Sequence, residues 1–345
     1  MIGLFEGRKT KSVLFSANIG IDLGTSSVLV YVKGKGIVLR EPSVVAIRKG
    51  EMISIEAVGQ QAYEMVGRTP AQLETIFPLE GGVISDYIYC EKMLRYFLEK
   101  TVGRLWLRPM VAVCTPCKIT EVERMAIIKT CMEVGARSVH LIEEPIAAAL
   151  GAGIDIDRPS GCMVVDVGGG TTDIAVISMG KSIVSDSVRI AGNNFDRDII
   201  RYMKKKYNLI IGQKTAEEVK IEIGQADHQE SKRTMPVKGR QLSSGLPRKA
   251  TVSGDEICDA VASSVGPLAM AVRSVLEKTP PELVSDISEH GIMLTGGGSL
   301  LRGLDRVIAE TTGIDTFVAD DAISCVAIGT GRYVDQLTKR RAKKA

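Results

Sequence analysis

One pattern of apolar and polar positions occurs twice in this chain: an apolar run, an aspartate, a glycine-bearing turn with hydroxyls, and a second apolar run. The first copy is Ile19-Gly20-Ile21-Asp22-Leu23-Gly24-Thr25-Ser26-Ser27 followed by apolar 28–32. The second is Met163-Val164-Val165-Asp166-Val167-Gly168-Gly169-Gly170-Thr171-Thr172-Asp173 followed by 174–177. Short apolar runs on both sides of a glycine turn predict two β-hairpins. A third run at 291–295 ends in Gly296-Gly297-Gly298-Ser299-Leu300-Leu301-Arg302-Gly303-Leu304, the pattern of a strand, a tight turn and a helix start. Elsewhere the periodicity predicts strands at 36–48, 110–114, 139–142 and 183–190, and a hairpin joining 234–242 to 248–253. Helical spacing covers 86–102, with Ile88, Met93, Leu94, Phe97 and Leu98 as its apolar positions. Further helices are predicted at 121–135, 143–151, 194–207, 215–224 and 255–278, the last ending before Pro280-Pro281. Strands and helices alternate in each half, which argues for an α/β fold, and the polar stretch 155–160 marks the boundary between the halves.

The duplicated hairpins point to a nucleotide held between two related halves. A glycine tip lets bare backbone N–H groups approach an anion, and the hydroxyls of Thr25, Thr171 and Thr172 add donors. The aspartates have another task. A carboxylate beside phosphate is repelled unless a hard cation lies between them, so Asp22 and Asp166 imply Mg²⁺ bound through water. In the third glycine cluster a flat group can lie against Gly296, Gly297 and Gly298, with Arg302 placed to stack on it or neutralise it. Glu144 opens a helix between the two hairpin motifs, where a carboxylate can orient water for attack on a γ-phosphate; Glu143 competes for that role, and a favourable interaction with the helix dipole is the plainer reading. Other nucleotide motifs are excluded. Gly180-Lys181-Ser182 has the tail of a Walker loop, but Ala175 stands at the required first glycine and a strand-like run follows.

Composition narrows the class further. Forty-four Lys and Arg against forty-one Asp and Glu leave a net charge of only +3, which argues against a nucleic-acid binder. The basic excess is local, in Lys339-Arg340-Arg341-Ala342-Lys343-Lys344 and around Arg8, Lys9 and Lys11. Seven cysteines, an odd number mostly within apolar runs, read as buried thiols of a reducing cytosol without disulfides. Cys114-Thr115-Pro116-Cys117 has redox-motif spacing but lacks the context of one. No segment approaches the length of a membrane span and no cleavable signal is present, so an intracellular protein is expected. Gly103-Arg104-Leu105-Trp106-Leu107-Arg108-Pro109 carries the only tryptophan, between leucines and arginines in a predicted loop. That composition suits a membrane-surface anchor, the alternative being a loop folded onto the core. Ile2, Leu4 and Phe5 beside the N-terminal basic residues offer a second, weaker apolar element.

These residues resemble the actin and heat-shock-chaperone ATPase superfamily, and within it the MreB family of bacterial actins. The resemblance runs from about Asn18 to Asp335 and includes Glu41-Pro42-Ser43-Val44-Val45-Ala46, Leu141-Ile142-Glu143-Glu144-Pro145 and Thr215-Ala216-Glu217-Glu218-Val219-Lys220. It implies two related ribonuclease-H-like domains, with four subdomains around a nucleotide cleft. Domain I would span 1–158 with a small subdomain at about 34–75, domain II 159–320 with one at about 191–254, and 321–345 would return to domain I. It further implies ATP and Mg²⁺ as ligands, Asp22 and Asp166 beside the magnesium, and Glu144 positioning the attacking water. Gly24, Thr25, Ser26 and 168–172 would hold phosphate, while Glu217, Lys220, Gly296, Gly297, Gly298 and Arg302 would lie near the adenosine.

The family's biology follows as an expectation. ATP hydrolysis would accompany assembly into antiparallel double protofilaments on the inner face of the cytoplasmic membrane, with Leu105, Trp106 and Leu107 as the anchor. The filaments would maintain rod shape with the cell-wall elongation machinery and its membrane adaptor, without nucleic acid. Departures from the family pattern at Cys114-Thr115-Pro116-Cys117-Lys118, at Gly82 in a usual aspartate position, and at Gly192-Asn193-Asn194-Phe195-Asp196 bear on subunit contacts and on which paralogue this is. The competing readings are a small-molecule kinase and a non-polymerising nucleotide-binding scaffold on the same fold. With the sequence ending at Ala345, a chaperone-type peptide-binding domain is not expected.

Overall fold

The computed structural model describes residues 18–50, 54–102, 108–229 and 233–342, with side chains as far as residue 338. In chain order the first half contains β1 (Ile19–Leu23), β2 (Ser27–Val32), β3 (Gly36–Pro42), β4 (Val45–Arg48), β5 (Ser54–Val58), α1 (Gln60–Met65), β6 (Leu73–Ile76), β7 (Leu79–Glu80), β8 (Val83–Ile84), α2 (Tyr87–Val102), β9 (Met110–Thr115), α3 (Glu121–Val134), β10 (Ser138–Glu143) and α4 (Glu144–Ala152). The second half contains β11 (Cys162–Val167), β12 (Thr172–Ser178), β13 (Lys181–Val188), α5 (Gly192–Tyr207), β14 (Leu209–Ile210), α6 (Gln213–Ile223), β15 (Thr234–Gln241), β16 (Pro247–Ser253), α7 (Gly254–Glu277), α8 (Pro281–His290), β17 (Ile292–Thr295), α9 (Leu304–Thr312), β18 (Thr316–Val318) and α10 (Cys325–Ala342). Leu105, Trp106, Leu107, the N-terminal Ile2, Leu4 and Phe5, and Lys343 and Lys344 lie outside the described residues.

The duplication in the sequence is a duplication in topology. One five-stranded sheet runs β3-β2-β1-β9-β10 and the other runs β13-β12-β11-β17-β18. In each, three antiparallel strands form a meander and two parallel strands extend it. β12 is buried along its whole length, which is why its sequence is a near-continuous apolar run. Helices cover these sheets with apolar stripes at helical spacing. α2 buries Cys90, Met93, Leu94, Phe97 and Leu98, whereas Ile88, expected on the same face, is about half exposed because it sits two positions before Cys90, roughly 200° away around the helix. α5 and α7 meet over the second sheet through Phe195, Ile199, Ile257, Val261 and their neighbours.

Two predicted boundaries shift for identifiable reasons. The apolar stretch 36–48, read as one strand, breaks after Pro42 into β3 and β4, which belong to different sheets. At the break, Ser43 ties itself to the first hairpin: its N–H donates to the Ser26 carbonyl at 3.0 Å and its hydroxyl to the Gly24 carbonyl at 2.6 Å. Pro280-Pro281, read as the end of a helix, also starts one, because Pro281 occupies the first turn of α8, where no N–H partner is needed.

The halves meet where α10 crosses α4, and α10 also lies against β1 and β9. This crossing is built from small residues, including Ala147, Ala148, Ala149 and Ala327, all fully buried. A Cβ on Gly329 would fall 1.7 Å from the Ala147 carbonyl oxygen, and one on Gly151 would fall 1.8 Å from that of Cys325. Each helix therefore presents a glycine to the other's backbone, and neither clash can be relieved by turning a side chain. Gly329→Ala should force the helices apart and cost about 2–3 kcal/mol of stability, at the upper end for overpacking. Urea denaturation checks this; an unchanged midpoint would show that the crossing is not close-packed.

Candidate active site

The carboxyl ends of β1, β11 and β17 and the start of α4 converge on one cleft of about 740 Å³. In open α/β sheets this strand edge is where ligands bind. The cleft is lined by Asp22, Gly24, Thr25, Ser26, Glu144, Asp166, residues 168–171, Glu217, Lys220, Gly296, Gly297 and Gly298, which the sequence had singled out separately. The two hairpin tips close in the same way. Gly24 N–H donates to the Ser27 carbonyl at 3.1 Å, and Gly168 N–H to the Thr171 carbonyl at 2.9 Å. The tips also touch: a Cβ on Gly169 would sit 1.9 Å from Ser26 Oγ. The N-terminus of α5 braces the second tip, with Gly192 and Asn193 N–H groups donating to the Gly168 and Gly169 carbonyls at 3.1 and 2.8 Å.

The two aspartates sit in equivalent places. Asp166 lies beside Thr295 in the parallel pairing of β11 with β17, and the Thr295 hydroxyl donates to its Oδ1 at 2.7 Å. Asp22 has Cys114 in the corresponding position on β9, and the thiol donates to its Oδ1 at 3.2 Å. Burial pushes Asp22 up to about 6, offset in part by that thiol, and pushes Asp166 up to about 7, where repulsion from Asp22 and Asp173 adds to it. Glu144, only 7% exposed, is driven well above the carboxylate range, first by burial and then by Asp173, Asp166 and Asp22. Asp173 moves upward by burial as well.

Asp22, Glu144 and Asp166 line the cleft, with Asp173 close enough to repel Glu144 and Asp166, and this concentration of negative charge at low dielectric calls for positive charge. Among the described residues, no three acidic, histidine or cysteine side chains converge closely enough to cage a metal directly. The arrangement thus fits a hard cation that keeps its own waters and takes ligand oxygens, which is how Mg²⁺ is commonly held.

Of the two helix-opening acids, Glu144 faces the cleft and Glu143 does not, since Glu143 Oε2 accepts from the Ser182 hydroxyl at 2.5 Å. Two expected ligands point elsewhere. Thr172 is fully buried and donates to the Ile190 carbonyl at 2.6 Å, because it begins β12 and so faces opposite to Thr171. Arg302 is absent from the cleft lining. Its guanidinium donates to the Gly224 and Ile221 carbonyls at 3.1 and 3.2 Å, capping α6, so it fixes the helix beside the glycine turn. Lys220 pairs with Asp196 at 2.8 Å and donates to the Gly192 carbonyl at 3.2 Å, while remaining in the cleft wall. Sequence reasoning missed Arg40, Tyr63, Asn193 and Lys214 in the lining. Thr295 was legible in principle, as the polar residue ending an apolar strand before glycines.

Two sheets of identical topology, each carrying a glycine hairpin and a strand-end aspartate to a shared cleft, define an actin-like protein. The family model described as MreB/Mbl protein matches residues 16–342, and the chain belongs to that family. It is 47% identical over 332 residues to the cell shape-determining protein Mbl of Bacillus subtilis (strain 168), covering 96% of this chain and 99% of that protein. It is 48% identical over 329 residues to the cell shape-determining protein MreB of Escherichia coli (strain K12), covering 94% and 95%. The crystal structure of MreB 5 of Spiroplasma citri bound to AMPPNP superimposes with a TM-score of 0.91 at 39% identity, over 96% of this chain and 99% of that one. A MamK double helical filament, at 20% identity and a TM-score of 0.77, shares the fold.

The raised carboxyls carry a pH signature. Asp166 titrates near 7 in the folded protein against 3.8 ordinarily, so its protonated form contributes stability at low pH that is lost as pH rises from about 4 through 7. With EDTA present, Asp166→Asn should therefore be more stable than the parent at pH 8, by about 1–3 kcal/mol, with the difference shrinking towards pH 5. Chemical denaturation at the two pH values tests it; equal stabilities at pH 8 would mean that the buried charge is not strained.

Proposed function

We propose that this chain binds and hydrolyses ATP and assembles into actin-like filaments, associated with the inner face of the membrane, that help determine cell shape. The observation that carries the reading is the cleft itself, where two touching hairpin tips offer N–H and hydroxyl donors beside a cluster of buried carboxylates. The relatives support it. Two of them are named cell shape-determining proteins, and the Spiroplasma citri MreB 5 structures contain AMPPNP and ADP. The two-domain division near 155–160, with small subdomains at about 34–75 and 191–254, belongs to the same proposal.

In this reading the phosphates lie against Gly24, Thr25, Ser26 and residues 168–171, and the adenosine lies near Glu217, Lys220 and Gly296, Gly297 and Gly298. Mg²⁺ held through water by Asp22 and Asp166 would supply the positive charge that neutralises phosphate oxygens. Balancing the charge on those aspartates would ease ionisation of Glu144, because their repulsion adds to burial and to Asp173 in raising its pKa. Its carboxylate then accepts a proton from water as the water oxygen bonds to the γ-phosphorus. The bond to the β-phosphate bridging oxygen breaks, and ADP and inorganic phosphate leave. A kinase reading is not favoured, given the identity to cell shape-determining relatives.

Assembly and membrane binding complete the proposal. Leu105, Trp106 and Leu107, flanked by Arg104 and Arg108, have the composition of an interfacial anchor. One such loop binds weakly, but a filament repeats it along one face and binds by avidity. The cell-wall elongation machinery and its membrane adaptor are the expected partners.

Glu144→Ala should bind ATP nearly as well as the parent and slow single-turnover hydrolysis by about 10²-fold or more, as for loss of a group that orients water. Undiminished hydrolysis would remove Glu144 from the mechanism. The double variant Leu105→Ser, Trp106→Ser should still sediment with ATP but lose flotation with anionic liposomes. Retained flotation would exclude the loop as anchor, and lost assembly would show that these side chains belong to the core.

A further inference from the structure

One contact spans the cleft and joins Glu217, already placed near the adenosine, to a residue with no role assigned above. Tyr63 lies on α1, in the first half of the chain, and its hydroxyl donates to Glu217 Oε2 on α6, 154 positions away. One helical turn before Glu217 on the same face of α6, the Lys214 ammonium stands 5.3 Å from the centre of the Tyr63 ring. A carboxylate thus takes the hydroxyl while a cation lies over the π face, two attractions that hold one aromatic ring from the opposite wall. Burial and Glu217 both push the Tyr63 phenol upward, which keeps it a donor at any physiological pH.

The rest of α1 is placed to carry such a link. Gln60 N–H donates to Glu41 Oε2 at 2.7 Å, and Lys100 pairs with Glu41 Oε1 at 2.6 Å, so the start of the helix is pinned to its own half. Tyr63, Lys214 and Glu217 are all partly exposed, whereas Glu144 and Asp166 are buried, so the link lies on the solvent side of the catalytic carboxylates. All three line the cleft.

The geometry points to Tyr63 as a latch: clasped by Glu217 and Lys214, it ties the two walls of the cleft together and sets how fast nucleotide enters and leaves. This rests on the nucleotide-binding reading above. The latch does not compete with a ligand for Glu217, because a carboxylate has about four lone-pair sites and Tyr63 uses one oxygen. It therefore closes the free and the occupied cleft alike. Weakening it raises the open population in both states, so association and dissociation accelerate together and affinity hardly moves.

Tyr63→Phe deletes the hydroxyl and keeps the ring under Lys214. Stopped-flow measurement with a fluorescent N-methylanthraniloyl ADP should show both rate constants rising about tenfold, the size of one hydrogen bond to a charged acceptor, with Kd unchanged within about twofold. Unaltered rates would overturn the latch. A raised Kd with unchanged association would overturn it too, by making Tyr63 a direct ligand contact. Hydrogen exchange on nucleotide-free protein gives a second readout. Tyr63→Phe should speed exchange in α1 and α6 together, and no change in either would sink the proposal even if the parent bound no nucleotide. Failure of the parent to bind the ADP probe would instead bring down the nucleotide reading alone.

Discussion

Burial of like charge in one cleft is the constraint on which the rest of this structure depends. Asp173, Asp166 and Asp22 all raise the proton affinity of Glu144, Asp22 and Asp173 raise that of Asp166, and low dielectric strengthens that repulsion. A protein of this size has only about 5–15 kcal/mol of net stability to set against such strain. Strained carboxyls are tolerated where a ligand relieves them, so the same charges that weaken the empty cleft favour an occupant bringing positive charge. The single donors supplied by Cys114 and Thr295 moderate the strain at the two aspartates without removing it. The thiol is the weaker donor of the pair, and the two related halves are therefore not electrically identical.

Holding that charge requires the two sheets to be fixed relative to each other at several depths. At the base, α4 and α10 cross so closely that Gly151 and Gly329 admit no side chain. In the middle, the hairpin tips meet at Ser26 and Gly169, and Ser26 Oγ donates to Asn193 Oδ1 at 3.3 Å. On the solvent side, Tyr63 reaches Glu217. The three ties differ in kind. The first is steric and cannot yield without separating helices; the last is two polar attractions that can break and re-form. A cleft that is stiff at its base and releasable at its rim can exchange a ligand while keeping its carboxylates in register.

The expectations that failed share a cause. Arg302 follows three glycines and reads as a ligand contact, but its guanidinium found the unpaired carbonyls at the end of α6. Thr172 stands next to Thr171 and differs from it only by the alternation of a strand, which turns one hydroxyl to the cleft and the other to Ile190. In both cases the residue type was suited to the role and a neighbour distant in sequence decided its direction. The break of 36–48 into β3 and β4 has a related origin, since Ser43 is drawn out of line by its bonds to the first hairpin.

The sequence by itself determined the duplicated strand-turn-strand units and the helix and strand alternation, and it singled out Asp22 and Asp166 as the acids of the glycine turns, because those depend on local periodicity and residue type. Even the choice of Glu144 over Glu143 needed the fold, as Ser182 had to arrive to claim its rival. Tertiary structure alone decided that the two hairpins touch, that Cys114 and Thr295 serve equivalent aspartates, and that Tyr63 meets Lys214 and Glu217. These contacts join residues 92 to 154 positions apart, or strands whose neighbours are set by sheet order, and no local pattern encodes such pairings. Pairing across that distance is set by how two cores pack against a shared pair of helices, and only the folded chain contains that information.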